Sequence, residues 1–148
     1  MRQDRVVFDT NMYVMAAPPK HNYASYWLTA AEPAPTQRLH LFVSEPILTE
    51  LTDVLTSKFE TDPEMVREYV DSIRHMATVV KPTETVSVVD RDPDDNKILE
   101  CALAAQADYV ITADKDLLKL KRFRGIAIYH PSNLKYFFPE SLDAGEAA

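Results

Sequence analysis

Arg5-Val6-Val7-Phe8-Asp9-Thr10-Asn11 is a short apolar run that ends abruptly in a carboxylate and two small polar residues. Val and Phe favour a pleated, buried strand, and no helical spacing accounts for them better. Asp9 then stands where a buried strand emerges, and open α/β sheets bind ligands just outside the carboxyl ends of their strands. Taken by itself, Asp9 is better read as the start of a turn, since Asp and Asn are common turn residues. The residues that the rest of the chain sets beside it decide the matter.

A length of 148 residues suits one domain with a sizeable core. A composition of 46% hydrophobic and 26% charged residues is globular rather than disordered. Met1-Arg2-Gln3-Asp4-Arg5 is too charged for a signal peptide, and no apolar run is long enough to cross a bilayer. The expectation is therefore a cytoplasmic protein with no membrane association. Lone Cys101 excludes an internal disulfide and a cysteine-based zinc site, and it suits a reducing compartment. His21, His40, His75 and His130 show no paired metal-ligand spacing. With only Gly125 and Gly145, there is no glycine-rich loop to cradle a nucleotide phosphate, which excludes P-loop and dinucleotide-binding enzymes. The net charge of −7 argues against a nucleic-acid substrate, because the phosphate backbone rewards cationic surfaces. That objection weakens if carboxylates converge on divalent cations, which change the sign of the working surface.

Along the chain, Met12 to Ala17 is expected to turn once as helix before Pro18-Pro19 stops it. Asn22 to Ala31 reads as a helix bearing Tyr23, Tyr26 and Trp27, whose helical spacing suits core or subunit contact and permits a homodimer. Leu39 to Val43 is a second strand. Ser44 caps a helix running to about Phe59, with Glu45 and Pro46 in its first turn. Ile47, Leu51, Val54 and Leu55 form its buried stripe, widened by Leu48 and Phe59. Glu50 borders that stripe, where a rim salt bridge is the plainer explanation. Thr61 or Asp62 caps the next helix at Pro63, whose apolar face is Met65, Val66, Tyr69, Val70, Ile73 and Met76. Ala77 to Val80 is a third strand, and Val86 to Val89 an extended connection.

Asp92 caps a further helix through about Ala105, with Pro93 at its first position. Acids in a first turn are favoured by the helix dipole, by about 0.3–1 kcal/mol each. That accounts for Asp92 and Asp94 but not for Asp95, which shares the core-facing side with Ile98, Leu99 and Ala102. A helix starting one residue differently would turn Asp94 inward instead. Asp108 to Thr112 is the next strand and exits into Ala113-Asp114-Lys115-Asp116, repeating the opening pattern. Leu117, Leu118 and Leu120 mark a short helix, Ile126 to Tyr129 a last strand, and Ser132 caps a final turn through Phe138. Strands alternating with helices imply a parallel sheet covered on both faces, an α/β domain over residues 1–138 followed by a polar tail, 139–148.

Four acids stand out by position: Asp9 and Asp114 leave strands, Glu50 borders a helix stripe, and Asp95 faces inward. If they converge, each pair of carboxylates about 4 Å apart repels by about 4 kcal/mol at an effective dielectric near 20. Protons or cations must neutralise such a cluster, and all-oxygen ligands select hard ions, Mg²⁺ or Mn²⁺.

Asp9-Thr10-Asn11, Ser44-Glu45-Pro46-Ile47-Leu48-Thr49-Glu50-Leu51, Asp95-Asn96-Lys97-Ile98-Leu99-Glu100-Cys101-Ala102 and Ile111-Thr112-Ala113-Asp114-Lys115-Asp116-Leu117 together resemble the PIN domain family of nucleases. The likeness is closest to its toxin-like, VapC-related branch. Four pieces in this order are far more specific than any one. The resemblance implies a three-layer α/β/α sandwich around a parallel sheet, and one or two Mg²⁺ or Mn²⁺ ions. It carries Asp9, Glu50, Asp95 and Asp114 over as the catalytic and metal-binding acids, and Asp116 as a further metal-binding acid. Thr10, Asn11 and Thr112 fall at supporting polar positions. The implied activity is metal-assisted cleavage of RNA to a 5′-phosphate and a 3′-hydroxyl, restrained by an antitoxin partner.

Lys115, Lys119, Lys121, Arg122 and Arg124 form the one dense basic run, suited either to an RNA backbone or to a solvated helix face. Asp116 can alternatively pair with Lys119. A phosphatase wants an acid where Asn11 stands, and a receiver domain wants a phosphoacceptor where Lys81 and Pro82 follow the third strand. The rival that survives is a PIN-like binding module without catalysis.

Overall fold

The computed structural model describes residues 4–18, 39–88 and 93–133. Its strands are β1 (Asp4–Phe8), β2 (Leu39–Val43), β3 (Thr78–Val79), β4 (Tyr109–Ile111), β5 (Arg122–Phe123) and β6 (Ile126–Tyr129). Its helices are α1 (Thr10–Ala16), α2 (Glu45–Asp53), α3 (Pro63–Met76), α4 (Pro93–Ala105) and α5 (Lys115–Leu120). The expected helix over 22–31, the cap at Asp92, the end of the final turn at Phe138 and the tail from 139 lie outside the described residues.

The strands form one sheet in the order β3-β2-β1-β4-β6-β5. Neighbours are parallel throughout except the β5–β6 pair. The expected parallel sheet is thus mostly parallel with one antiparallel edge. Strand β5, absent from the sequence reading, arises from a two-residue reversal: Arg122 pairs with Ala127 and Phe123 with Ile126, leaving Arg124-Gly125 as the loop. Both loop residues have positive φ, +48° and +84°, the geometry that matches strand twist in a tight hairpin. Gly125 is the local signal for that turn, but two residues are too short to show a strand's alternation.

The central strands are buried on both faces, as their unbroken apolar runs require: Val6, Val7 and Phe8 in β1, Leu41, Phe42 and Val43 in β2, and Val110 and Ile111 in β4. Helix α4 packs on β1, β2 and β4, and α1 packs on β1 and α2, giving an α/β sandwich. The sheet order turns back between β1 and β4, since β1 is followed in sequence by β2 on one side and flanked by β4 on the other. The carboxyl ends at such a reversal diverge into a crevice, the usual ligand site of open α/β sheets.

The described part of the connection over 86–89 stays outside the sheet, as expected, because α4 side chains take its amides. Val86 N–H donates to Glu100 Oε2 at 2.9 Å and Val88 N–H to Asn96 Oδ1 at 3.1 Å. Two expectations about apolar faces are corrected. Phe59, expected on the buried stripe of α2, is instead 49% exposed. The α-helix gives way after Asp53 to a π-helical turn, Val54–Lys58, which rotates the residues beyond it away from the stripe of Ile47, Leu48, Leu51 and Leu55. Met65 is likewise exposed rather than part of the buried face of α3. It lies in the first turn of that helix, before the buried run that Val66 opens.

Helix α1 ends under α3. The Tyr69 hydroxyl donates to the Tyr13 carbonyl at 2.6 Å in a buried bond, satisfying an acceptor that the end of α1 leaves without an intrahelical donor. Tyr69→Phe should therefore cost about 1–2 kcal/mol, the loss of one buried hydrogen bond with its acceptor left unsatisfied. Thermal unfolding checks this, and an unchanged melting temperature would show that the bond contributes nothing to docking.

Candidate active site

Asp9 directly follows β1, and its own N–H is still part of the sheet, donating to the Ile111 carbonyl of β4 at 3.0 Å. Phe8 stands opposite Ile111, so Asp9 and Thr112 leave adjacent strands side by side. The Thr112 hydroxyl, wholly buried, donates to Asp9 Oδ2 at 2.7 Å and accepts the Asp114 N–H at 2.9 Å. One side chain thus sets the carboxylate of the first strand against the backbone that carries the second acid.

Asp114 is the N-cap of α5: its Oδ1 accepts the N–H groups of Asp116 and Leu117 at 2.9 and 3.0 Å. The cap orients Asp114 and begins the turn that carries Asp116 back toward it. Helix α4 supplies the third acid. Ile98, Leu99 and Ala102 are buried, and Asp95, on the same side of the helix, is 6% exposed. Asp94 points outward, 2.9 Å from Lys97 Nζ, so Asp95 and not Asp94 faces inward. Asp95, Asp114 and Asp116 each present an oxygen such that the three lie within 4.8 Å of one another.

Asp9 and Glu50 are not members of that tight trio. Asp9 adjoins it, and its carboxyl pKa is raised. Burial is the main cause. The Thr112 bond opposes it, the negative charge of Asp114 adds to it, and the amides of Thr10 and Asn11 oppose it weakly without making a side-chain cap. Glu50 is half-buried on α2, which packs on α4. It acts on Lys97, whose ammonium is held protonated first by its bond to Asp94 and further by the charges of Glu50 and Glu100. Lys97 is a neighbour of the acids that the sequence pattern did not single out, since one lysine in an acidic turn reads as a helical ion pair.

The supporting residues divide. Thr112 is central, as described. Thr10 is buried, with its hydroxyl making no hydrogen bond, and Asn11 is exposed on the first turn of α1. Asn11 lines an open groove of about 540 Å³ with Val14, Met15, Phe59, Ala113, Asp114, Lys115 and Asp116. The basic run does not form one track. Arg124 bonds Glu84 and lies over the Phe123 ring, and Arg122 donates to the Gly125 carbonyl. Lys119 reaches Asp116 only at 3.9 Å across an exposed surface, a pair worth little.

A buried acid with a raised pKa makes a signed prediction. The folded chain binds the Asp9 proton more tightly than the unfolded chain, so ionised Asp9 destabilises the metal-free protein above its folded pKa. This penalty fades as pH falls through that value toward the ordinary carboxylate range. Asp9→Asn keeps an acceptor for Thr112 and removes the charge. In chelator at neutral pH the variant should melt higher by about 2–4 °C, corresponding to about 1 kcal/mol. The gap should close on acidification. Equal melting at every pH would show that Asp9 carries no uncompensated charge.

With that geometry established, known proteins can be set beside it. The model of the family described as PIN domain matches residues 5–116, which span all the acids named here. Two solved structures share the fold: VapBC2 from Rickettsia felis bound to a DNA fragment from its promoter, and PAE2754 from Pyrobaculum aerophilum. The first has a TM-score of 0.55 at 16% identity, covering 85% of this chain and 98% of that one. The second has a TM-score of 0.53 at 15% identity, covering 93% and 90%. No curated protein matches the chain. A family model spanning most of the chain, on a sheet whose order places the acids in one crevice, establishes that this chain belongs to the PIN domain family.

Proposed function

We propose that the chain is a metal-dependent endoribonuclease that hydrolyses phosphodiester bonds of single-stranded RNA, and that it is the toxin of a toxin–antitoxin pair. The observation that carries this reading is the approach of Asp95, Asp114 and Asp116 to within 4.8 Å, with Asp9 fixed alongside by Thr112. PIN domains are in general nucleases that use divalent metals, and this donor set fits such an ion. It consists of carboxylates alone, the ligands of a hard cation such as Mg²⁺ or Mn²⁺.

In this reading Asp95, Asp114 and Asp116 hold the cation, Asp9 completes the set, and Glu50 contributes its charge from α2. A divalent ion in such a site eases deprotonation of the attacking water and offsets charge developing on the phosphate. The chain's own residues supply placement. Thr112 prevents Asp9 from swinging toward solvent, and the α5 cap keeps Asp114 from rotating away. Lys97 balances Glu50 so that the acids are tolerated together. In the hydrolysis a P–O bond forms from water as the P–O3′ bond breaks, and the 3′ oxygen takes up a proton, leaving a 5′-phosphate and a 3′-hydroxyl.

An antitoxin partner is supported by the VapBC2 neighbour, an assembly bound to its own promoter fragment. Cytoplasmic placement is consistent with the absence, among the described residues, of any helix long and apolar enough to cross a membrane.

Purified chain with Mg²⁺ or Mn²⁺ should cut a labelled single-stranded oligoribonucleotide, and excess chelator should abolish cutting. Asp9→Asn and Asp114→Asn should each lower the rate by about 100-fold or more, as expected when preorganised charge at a reacting phosphate is removed. Protein that binds the oligonucleotide with either ion present but never cuts it would instead support a binding module.

A further inference from the structure

Phe59 has no reason to be at the surface in the pattern of α2. It lies four residues after Leu55 and eight after Leu51, so an unbroken α-helix would lay it on the buried stripe. The chain instead takes a wider turn. Phe59 N–H reaches back to the Val54 carbonyl at 3.3 Å and Thr61 N–H to the Leu55 carbonyl at 3.0 Å. The helix is left through Glu60 at φ +49°, a left-handed conformation that a residue with a Cβ adopts at a cost. The ring forfeits burial, and backbone strain is accepted to put it where it is. Where it is put is the groove whose opposite wall carries Asp114 and Asp116.

We infer that Phe59 is a stacking platform for one base of the RNA strand beside the bond to be cut, and so a determinant of where cleavage falls. This rests on the nuclease reading above. The groove has the parts such a subsite needs. It has a flat ring with apolar neighbours Val14 and Met15, the amide of Asn11 for a base edge, and the ammonium of Lys115 for a flanking phosphate. A strand held at the acids must enter or leave through a groove that shares Asp114 and Asp116 with them. Arg122 and Arg124 already have intramolecular partners, which directs the strand over α1 and the end of α2 rather than along the β5 hairpin. A base, with two apolar faces and a polar rim, matches this mixture; an anionic peptide would meet the acids with no offsetting row of cations.

The test uses the full chain with Mn²⁺ and a set of 5′-labelled single-stranded oligoribonucleotides that differ at the nucleotides flanking the cleavage site. Phe59→Ala should lower kcat/KM on the order of tenfold, mainly through KM, and flatten the preference for the flanking base. Phe59→Trp should restore both. Because the side chain is half exposed, melting temperatures should stay close to wild type, which separates loss of stacking from loss of fold. Unchanged KM and unchanged preference in Phe59→Ala would overturn the proposal while leaving the nuclease reading intact. So would a variant that cuts normally but loses a copurifying protein partner, since the groove would then belong to that partner. Absence of cutting by the wild-type chain would refute the underlying nuclease reading, and this subsite with it.

Discussion

The Thr112 hydroxyl is the point on which the site depends. It lies between the ends of two parallel strands, donating to Asp9 and accepting from the amide of Asp114. Parallel pairing alone sets strand ends about 4.8 Å apart but leaves side chains at the exits free to turn. Two like charges leaving adjacent strands would turn away from each other. A fully buried threonine, stiff about χ1 and able to donate and accept at once, removes that freedom.

The remaining acids are positioned by ordinary folding forces. The apolar stripe of α4 buries Ile98, Leu99 and Ala102, and the same rotation carries Asp95 inward. The N-cap of α5 holds Asp114 through two backbone donors and folds Asp116 back beside it. Each device would stabilise its helix whether or not a site existed. Their joint result is a concentration of negative charge, with Asp9 buried and its ionised form disfavoured. A surplus of −7 across the chain is then an attribute of the protein without its cation, and it does not determine what the protein binds.

Irregular backbone gathers on one side of this cluster. The π-helical turn after α2 and the left-handed Glu60 present Phe59 to the groove beside Asp114 and Asp116. Farther out, Arg124 and Gly125 reverse the chain into an antiparallel edge strand, and Arg124 is tied to Glu84. Regular elements of the sheet therefore fix the acids, and departures from regularity shape the surface next to them.

The residues by themselves determined the strands β1, β2, β4 and β6 and the helices between them, because apolar periodicity is a local quantity and burial tracks it. Asp9 and Asp114 were legible for the same reason, as acids at the ends of apolar runs. Whether Asp94 or Asp95 turns inward, that Thr112 joins Asp9 to Asp114, and that Lys97 answers Glu50 were decided only in three dimensions, by strand register and helix packing between segments far apart in the chain. The strand Arg122–Phe123 and the exposure of Phe59 also escaped the pattern. Two residues carry no period, and one extra residue in a helical turn changes which side chain faces the core without changing any letter of the sequence.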